Sequence, residues 1–320
     1  MSGLYASVVL NPCMDHTAHI SGFNYGGLNR VVKSRADIGG KGVNVGVVLK
    51  NLLAGSGAEV LCAGFCSESA MGGLEGFLKK NGIASDFVVC PGRLRTNIKI
   101  FEEKTGTMTE FNERGDHVGD SHRRELVKKI SLLAPGAKAF VFSGSAPPGV
   151  EDGYYRELIC AAREANPDVI VALDADGGLL GEGINAAPDI VKPNLFELSG
   201  LAGENLSGHA DIIKACRVVI DKGVKIVCVS MGAEGAIITD GFKAYFAPAL
   251  DILVKGVQGA GDSLTAGLCV SYAEGAPLGE MLRSAAAAAG GSLIREGTLL
   301  CGKEDYLQLK DKVKVIEIDV

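Results

Sequence analysis

Residues 139–173 read AFVFSGSAPPGVEDGYYRELICAAREANPDVIVAL, and their order decides the fold class. Ala139–Phe142 and Val169–Leu173 are apolar runs of strand length. Between them stand a Gly/Pro-rich turn and an amphipathic segment, Tyr154–Ala165, that reads as a helix. Two apolar strands joined through a helix form the unit that builds a parallel sheet buried on both faces. The same alternation extends outward in both directions. Further strand-length runs stand at Ala6–Leu10, Val60–Gly64, Ile190–Val191, Ile226–Val229 and Ala236–Thr239. Further helical segments stand at Val43–Leu53, Gly72–Asn81, His122–Leu133 and Ala210–Lys222, two of which close on a glycine, Gly82 and Gly223. The expectation is an α/β fold with a mainly parallel central sheet and helices on both faces.

Two stretches, about 13–37 and 96–113, alternate in strand fashion with no helix, the second turning at Thr105-Gly106. They read as a small β-sheet inserted into the α/β body, placed to act as a lid over a substrate. No Pro/Ser-rich linker or internal repeat divides the chain, so residues 1–320 are expected to form a single domain.

Composition narrows the partners. The formal net charge is −6, which offers no electrostatic footprint for nucleic acid or an anionic membrane, so neither is expected. Any anionic ligand must be held by local charges. Nine cysteines stand singly, with no Cys-x-x-Cys pair, which points to reduced thiols in a cytoplasm rather than to disulfides or zinc. No apolar run reaches bilayer length; Ala285–Gly291 is short and reads as core.

Two glycine-rich turns carry the chemistry: Gly39-Gly40-Lys41-Gly42-Val43-Asn44 and Gly259-Ala260-Gly261-Asp262-Ser263. Small residues at such turns leave backbone N–H groups open, and a helix starting there points its positive end at an anion. A carboxylate inside a phosphate-binding turn is self-defeating unless the site must also take a proton from a hydroxyl. Asp262 supplies that carboxylate, and the combination is the requirement of a small-molecule kinase. Taken alone, the turn equally fits an aspartate stabilising a helix start. Walker A is absent, because Gly42 follows Lys41 where Ser or Thr is needed. A nicotinamide loop fits no better, because Gly46 is one residue too far from Gly40 and Gly42.

The two turns have companions: Leu10-Asn11-Pro12 with Asp15, Thr96-Asn97-Ile98-Lys99, Ser143-Gly144-Ser145-Ala146-Pro147-Pro148-Gly149, Lys192-Pro193-Asn194-Leu195-Phe196-Glu197 and Ser230-Met231-Gly232-Ala233-Glu234-Gly235. In this order and spacing, over nearly the whole chain, they resemble the ribokinase-like carbohydrate kinases of the PfkB type. Within that family the likeness is to the hexose-phosphate branch. The resemblance implies a three-layer ribokinase-like sandwich with a β lid, MgATP as phosphoryl donor, and a ketohexose monophosphate as acceptor. Fructose 1-phosphate is the first expectation, tagatose 6-phosphate the second, with 6-phosphofructokinase activity behind both. A regulator that bound sugar phosphates without turnover would be expected to have lost Asp262 or its glycines, and all are present.

The resemblance also implies roles. Asp262 would be the base, and the N–H groups of Gly259, Ala260 and Gly261 the anion hole. Asn194 and Glu197 would reach Mg²⁺ through water. Lys192, Asn194, Ser230, Gly232, Gly235 and Gly261 would lie along ATP. Asp15 and Asn44 would hold sugar hydroxyls, with Gly39 and Gly40 letting the backbone approach. Lys41 and Arg95 would read the acceptor's phosphate, helped by Arg30, Lys99, Ser143 and Ser145. Taken singly, Asn194 and Glu197 fit an ordinary helix start, Ser230 to Gly235 a plain hairpin turn, and each cation a solvated charge. A K⁺ site built from the carbonyls ahead of the catalytic turn is an option that Gly256 and Gln258 count against. His16 and His19 read as incidental rather than as a metal pair. A lid sheet with exposed edges and an apolar face also predicts a homodimer joined through the lids.

Overall fold

The computed structural model describes residues 3–297 and 299–320. The chain opens with β1 (Leu4–Val9), β2 (Cys13–Ile20) and β3 (Val31–Gly39), then enters α1 (Lys41–Leu52). There follow β4 (Glu59–Ser67), α2 (Met71–Lys80), β5 (Ala84–Cys90), β6 (Arg95–Glu102) and β7 (Thr107–Asn112). The middle of the chain alternates: α3 (Asp120–Leu133), β8 (Ala137–Ser143), α4 (Tyr154–Ala165), β9 (Ile170–Asp174), α5 (Gly177–Gly183) and β10 (Ile190–Val191). Next come α6 (Leu195–Ala202), α7 (Gly208–Ile220), β11 (Ile226–Ser230), β12 (Ala236–Thr239) and β13 (Ala244–Ala247). The last elements are α8 (Ala260–Ala273), α9 (Leu278–Leu293), α10 (Lys303–Lys310) and β14 (Ile316–Ile318).

Ten strands form one sheet in the order β14-β13-β12-β11-β10-β9-β8-β1-β4-β5. It is parallel from β11 across to β5 and antiparallel from β11 out to β14. Its strands are apolar on both faces because both faces are covered. In β8, Phe140 and Phe142 pack with Leu126 and Ile130 of α3, Leu158 and Ile159 of α4 and Ile212 of α7. Ala139 and Val141, pointing the other way, pack with Val45 and Leu49 of α1, Leu268 of α8 and Leu282 of α9. The period of two along each strand thus sorts one sequence into two cores. The three-layer α/β expectation holds. β13 and the edge strand β14, of four and three residues, were not read from the sequence.

Chain order steps from β1 to β4 and β5 on one side and from β8 to β11 on the other. That reversal opens a crevice beyond the carboxyl ends of the strands, where ligands bind in open α/β sheets. α1 presses its first turn into this point. A Cβ built on Gly42 would lie 2.6 Å from Val9 Cβ and 2.8 Å from the Val8 carbonyl oxygen. Ser7 Oγ donates 2.6 Å to the Gly42 carbonyl, closing the same seam.

The second sheet, β3-β2-β6-β7, is the expected lid. Registers Asp15↔Asn97↔Asn112 and Thr17↔Lys99↔Glu110 put polar side chains on one face. The interleaved Ile98 and Phe111, paired with each other, are about half exposed on the opposite face. Among the described residues no helix is long and apolar enough to cross a membrane.

The Gly42 seam makes a prediction. Gly42→Ala forces backbone atoms apart and is expected to cost about 1–3 kcal/mol, the usual range for overpacking. Denaturant titration should show a lower midpoint with an unchanged slope. A midpoint equal to that of the unsubstituted protein would contradict the close approach.

Candidate active site

Asp262 lies in the first turn of α8, which Gly259 opens with φ 72°, a left-handed conformation suited to glycine. Its side chain is buried, and Asn44 Nδ2 donates 2.7 Å to Oδ2. Burial first, and then the neighbouring Asp174 carboxylate, push its pKa up to about 6; Lys41, Asn44 and Lys192 pull the other way. A carboxyl with its pKa raised to about 6, beside helix N–H groups that have no intrahelical acceptor, can accept a proton while an anion sits within reach.

Asp174, at the end of β9, was not singled out in the sequence, yet it organises the site. It is fully buried, and its Oδ1 lies 3.1 Å from Lys41 Nζ and 3.4 Å from Lys192 Nζ. Its Oδ2 accepts from Thr265 Oγ1 of α8 at 2.9 Å. Burial pushes this carboxyl up, but Lys192 and Lys41 outweigh it and hold it below the usual value. Lys41 rises in turn, chiefly through Asp174. A signal did exist: Asp174 closes an apolar run at the carboxyl end of a strand, where open α/β sheets place ligands.

These groups line a cavity of about 430 Å³. On its lid side Asp15 is buried and engaged: Lys99 Nζ lies 3.1 Å from Oδ2, while Asn97 Nδ2 (3.0 Å) and Cys13 Sγ (3.4 Å) donate to Oδ1. Burial and the Asp15 charge push the Cys13 thiol up to about 12, so it stays protonated and donates. Gly39 leaves room here: a Cβ would fall 2.7 Å from Asp15 Oδ2 and displace that carboxylate. Arg95 donates from Nε to the Asn11 carbonyl (3.1 Å) and from Nη1 to Asn97 Oδ1 (3.3 Å) and the Glu113 carbonyl (3.1 Å). Glu110 and Asn112 of β7 and Leu300 also line the cavity, and sequence reading had not marked them.

On the other side Asn194 and Glu197 form a reciprocal capping box at the start of α6. Each side chain accepts from the other's backbone N–H at 2.8 Å. The helix-start reading of this pair is therefore correct, and both residues still line the cavity. Lys192 Nζ stands 3.8 Å from where a Cβ on Gly261 would be, over the α8 N-terminus. Ser230 and Gly261 line the cavity; Gly232 and Gly235 shape the β11–β12 turn without lining it.

The remaining expected positions have varied surroundings. Lys41 and Lys99 are not free cations, being paired with Asp174 and Asp15. Ser143 is fully buried at the end of β8, its hydroxyl without a hydrogen-bond partner among the described residues, and neither it nor Ser145 lines the cavity. Arg30 is exposed in the β2–β3 link, outside the cavity.

Comparison with known proteins identifies the family. The sequence profile of the pfkB family carbohydrate kinases matches residues 8–305. The 1-phosphofructokinase of Rhodobacter capsulatus is 35% identical over 320 residues, covering 97% of this chain and 96% of that one. The 1-phosphofructokinase of Escherichia coli K12 is 34% identical, covering 84% of each chain. Phosphofructokinase-2 from E. coli, solved in complex with potassium, superimposes with a TM-score of 0.87 at 26% identity, covering 97% of this chain and 99% of that one. Another structure of that protein is described as its tetrameric inhibited form.

The buried charges yield two opposite predictions. Asp174→Asn leaves Lys41 and Lys192 sharing a neutral partner, and is expected to lose about 3–5 kcal/mol, the cost of breaking a buried ion pair. A melting temperature within a degree or so of the unsubstituted protein would contradict the hub assignment. Asp262 behaves the other way. Its folded pKa of about 6 lies above the ordinary 3.8, so the folded state holds the proton more tightly. Stability from this group is present at low pH and falls as pH rises from about 4 to 6. Asp262→Asn should therefore stabilise by about 1–3 kcal/mol at pH 8 and by almost nothing at pH 4. Urea titrations at both pH values check this; equal effects at the two would contradict it.

Proposed function

The chain belongs to the pfkB family of carbohydrate kinases, and on that premise we propose that it transfers the γ-phosphoryl group of MgATP to fructose 1-phosphate, giving fructose 1,6-bisphosphate. The observation that carries the reading is Asp262: a buried carboxyl at an open helix N-terminus, held by Asn44 at 2.7 Å with Lys41 and Lys192 beside it, burial pushing its pKa up to about 6. The 1-phosphofructokinase relatives support the choice of acceptor.

The incoming 6-hydroxyl would lie against Asp262, which accepts its proton as the oxygen attacks phosphorus. Asn44 holds the carboxylate in place through Oδ2 and leaves Oδ1 for that proton. The N–H groups of Gly259, Ala260 and Gly261, with Lys192 above them, would stabilise charge on the phosphoryl oxygens, a contribution of about 2.7–4 kcal/mol per donor in comparable sites. Lys41 has a third of its side chain exposed against 5% for Lys192, so it would serve the moving phosphoryl group and the acceptor. Arg95 would keep Nη2 for the acceptor's 1-phosphate, its Nε and Nη1 being held by Asn11, Asn97 and Glu113. Lys99 would act indirectly, fixing Asp15 for a ring hydroxyl.

The residues present fit Mg²⁺. The capping box engages Oε2 of Glu197 and leaves Oε1 beside Asn194 for metal-bound water. No cluster of three acidic, His or Cys ligands exists among the described residues, as suits an ion that keeps its hydration shell. Bound there, Mg²⁺ would neutralise phosphate charge. A K⁺ site built from the carbonyls ahead of the catalytic turn belongs to the same reading, since the E. coli neighbour was solved in complex with potassium; turnover with and without K⁺ measures it.

ADP release measured across a panel of sugar phosphates, with product identification, tests the reading. Fructose 1-phosphate should give the highest kcat/KM, and a tagatose 6-phosphate value about tenfold higher would reassign the acceptor. Asp262→Asn should lower kcat by about 10² to 10⁴ with little change in nucleotide affinity. Near-normal turnover would remove Asp262 as the base.

We also propose a homodimer through the lids, since Ile98 and Phe111 present an apolar surface opposite the polar face. The tetramer is a property of the E. coli neighbour's inhibited form. Light scattering should give twice the 33.2 kDa chain mass. A monomer would contradict the dimer, and Ile98→Glu should produce one.

A further inference from the structure

Behind the Gly259–Ser263 turn, four groups run in a line from Cys301, outside the cavity, to Gly259, which lines it. The Cys301 N–H donates 2.8 Å to Ser292 Oγ; Ser292 Oγ lies 2.7 Å from Ser263 Oγ; Ser263 Oγ lies 2.7 Å from the Gly259 carbonyl oxygen. Both serines are buried. Proton counting orients the line. A carbonyl only accepts, so the single Ser263 hydroxyl proton points to Gly259. Ser263 can then only accept from Ser292, and Ser292 accepts from Cys301. Each donor is used once, and every dipole points toward Gly259.

The Gly259 carbonyl also accepts the Ser263 N–H at 2.8 Å. That carbonyl belongs to the same planar trans peptide unit as the Ala260 N–H, which points the opposite way, out of the helix start. Two hydrogen bonds on the oxygen fix the rotation of the unit and polarise its N–H, since linked hydrogen bonds strengthen one another by about 10–30% each. The far end of the line is anchored as well. Asn51 Nδ2 of α1 donates 2.9 Å to the Cys301 carbonyl. Leu300 is pressed so closely on the turn that a Cβ on Gly259 would fall 2.2 Å from its Cδ2.

We propose that Ser292 is a positioning residue for phosphoryl transfer: through Ser263 it holds and polarises the Gly259–Ala260 peptide, so that the Ala260 N–H is aimed at the transferring phosphoryl group. This rests on the reading of that N–H as a phosphate donor. Ser292 touches no substrate, so its removal weakens one donor rather than deleting it. Since deleting such a donor costs about 10²- to 10³-fold, weakening it by the cooperative share predicts a loss of about 2- to 7-fold in kcat.

The experiment is a double-mutant cycle with Ser263→Ala and Ser292→Ala. ADP release is measured at saturating MgATP and fructose 1-phosphate, with the Ala260 amide shift read by NMR. Ser292→Ala should lower kcat by the stated factor, leave KM for fructose 1-phosphate within about twofold, and move the Ala260 amide proton upfield. Adding it to Ser263→Ala should cause no further loss, because the link to Gly259 is already cut. Ser292→Cys, a near-isosteric replacement with a weak donor, gives the same readouts if the alanine variant folds poorly. Unchanged kcat, independent losses that multiply, or an unmoved Ala260 amide would each overturn the relay. If the unsubstituted protein phosphorylates no sugar phosphate, the functional reading fails by itself, and the amide shift still decides the relay.

Discussion

One buried carboxylate joins the parts of this site. Asp174, at the end of β9, is shared by Lys41 from α1, Lys192 from the segment after β10, and Thr265 from α8. Each of these elements arrives from a different crossover of the sheet. Two ammonium groups converge on a single oxygen, which in the interior is tolerable only with the anion present. The same negative charge raises the pKa of Asp262. On the proposed reading, Asp174 would hold the cations for an entering phosphate and, after burial, would add to the basicity of the neighbouring carboxyl. Stability and chemistry draw on one interaction here.

The local charges matter because the whole protein repels anions. At a net charge of −6, attraction for a phosphate must come from cations held at the crevice and from helix N–H groups. The lid follows the same logic. Its polar face, built on Asp15, Asn97, Lys99 and Arg95, is cross-braced so that Lys99 and most of Arg95 are already engaged. Pre-organised groups lose little freedom when a ligand arrives, which favours affinity. Burying so many polar groups on one face leaves the apolar residues of these strands on the other.

Some residues serve backbone and ligand at once. Asn194 and Glu197 cap α6 with one oxygen each and line the cavity with what remains. Gly259 opens α8 in a left-handed conformation, leaves room for Leu300, and presents a carbonyl to the Ser263–Ser292 line. A helix start is well suited to this double use, since its first N–H groups lack partners whatever the sequence.

Much of this was legible in the chain alone. The alternation of apolar runs and amphipathic segments gave away the parallel sheet, because period two and period 3.6 leave different marks in sequence. Tyr154–Ala165 and Ala236–Thr239 form elements with the boundaries read from the sequence. The glycine turns and Asp262 were visible because each demands particular residue types at adjacent positions. Asp174, Glu110, Asn112 and Ser292 were not. Their roles depend on partners far away in sequence: Asp174 lies 133 residues from Lys41 and 91 from Thr265, and nothing local distinguishes it from any polar residue closing a strand. Lys41 and Lys99 showed the converse limit. Their charge was plain in the sequence, but whether each was free or paired was decided only when the tertiary structure brought a carboxylate within about 3 Å, where Coulomb attraction in a buried site outweighs the pull of water.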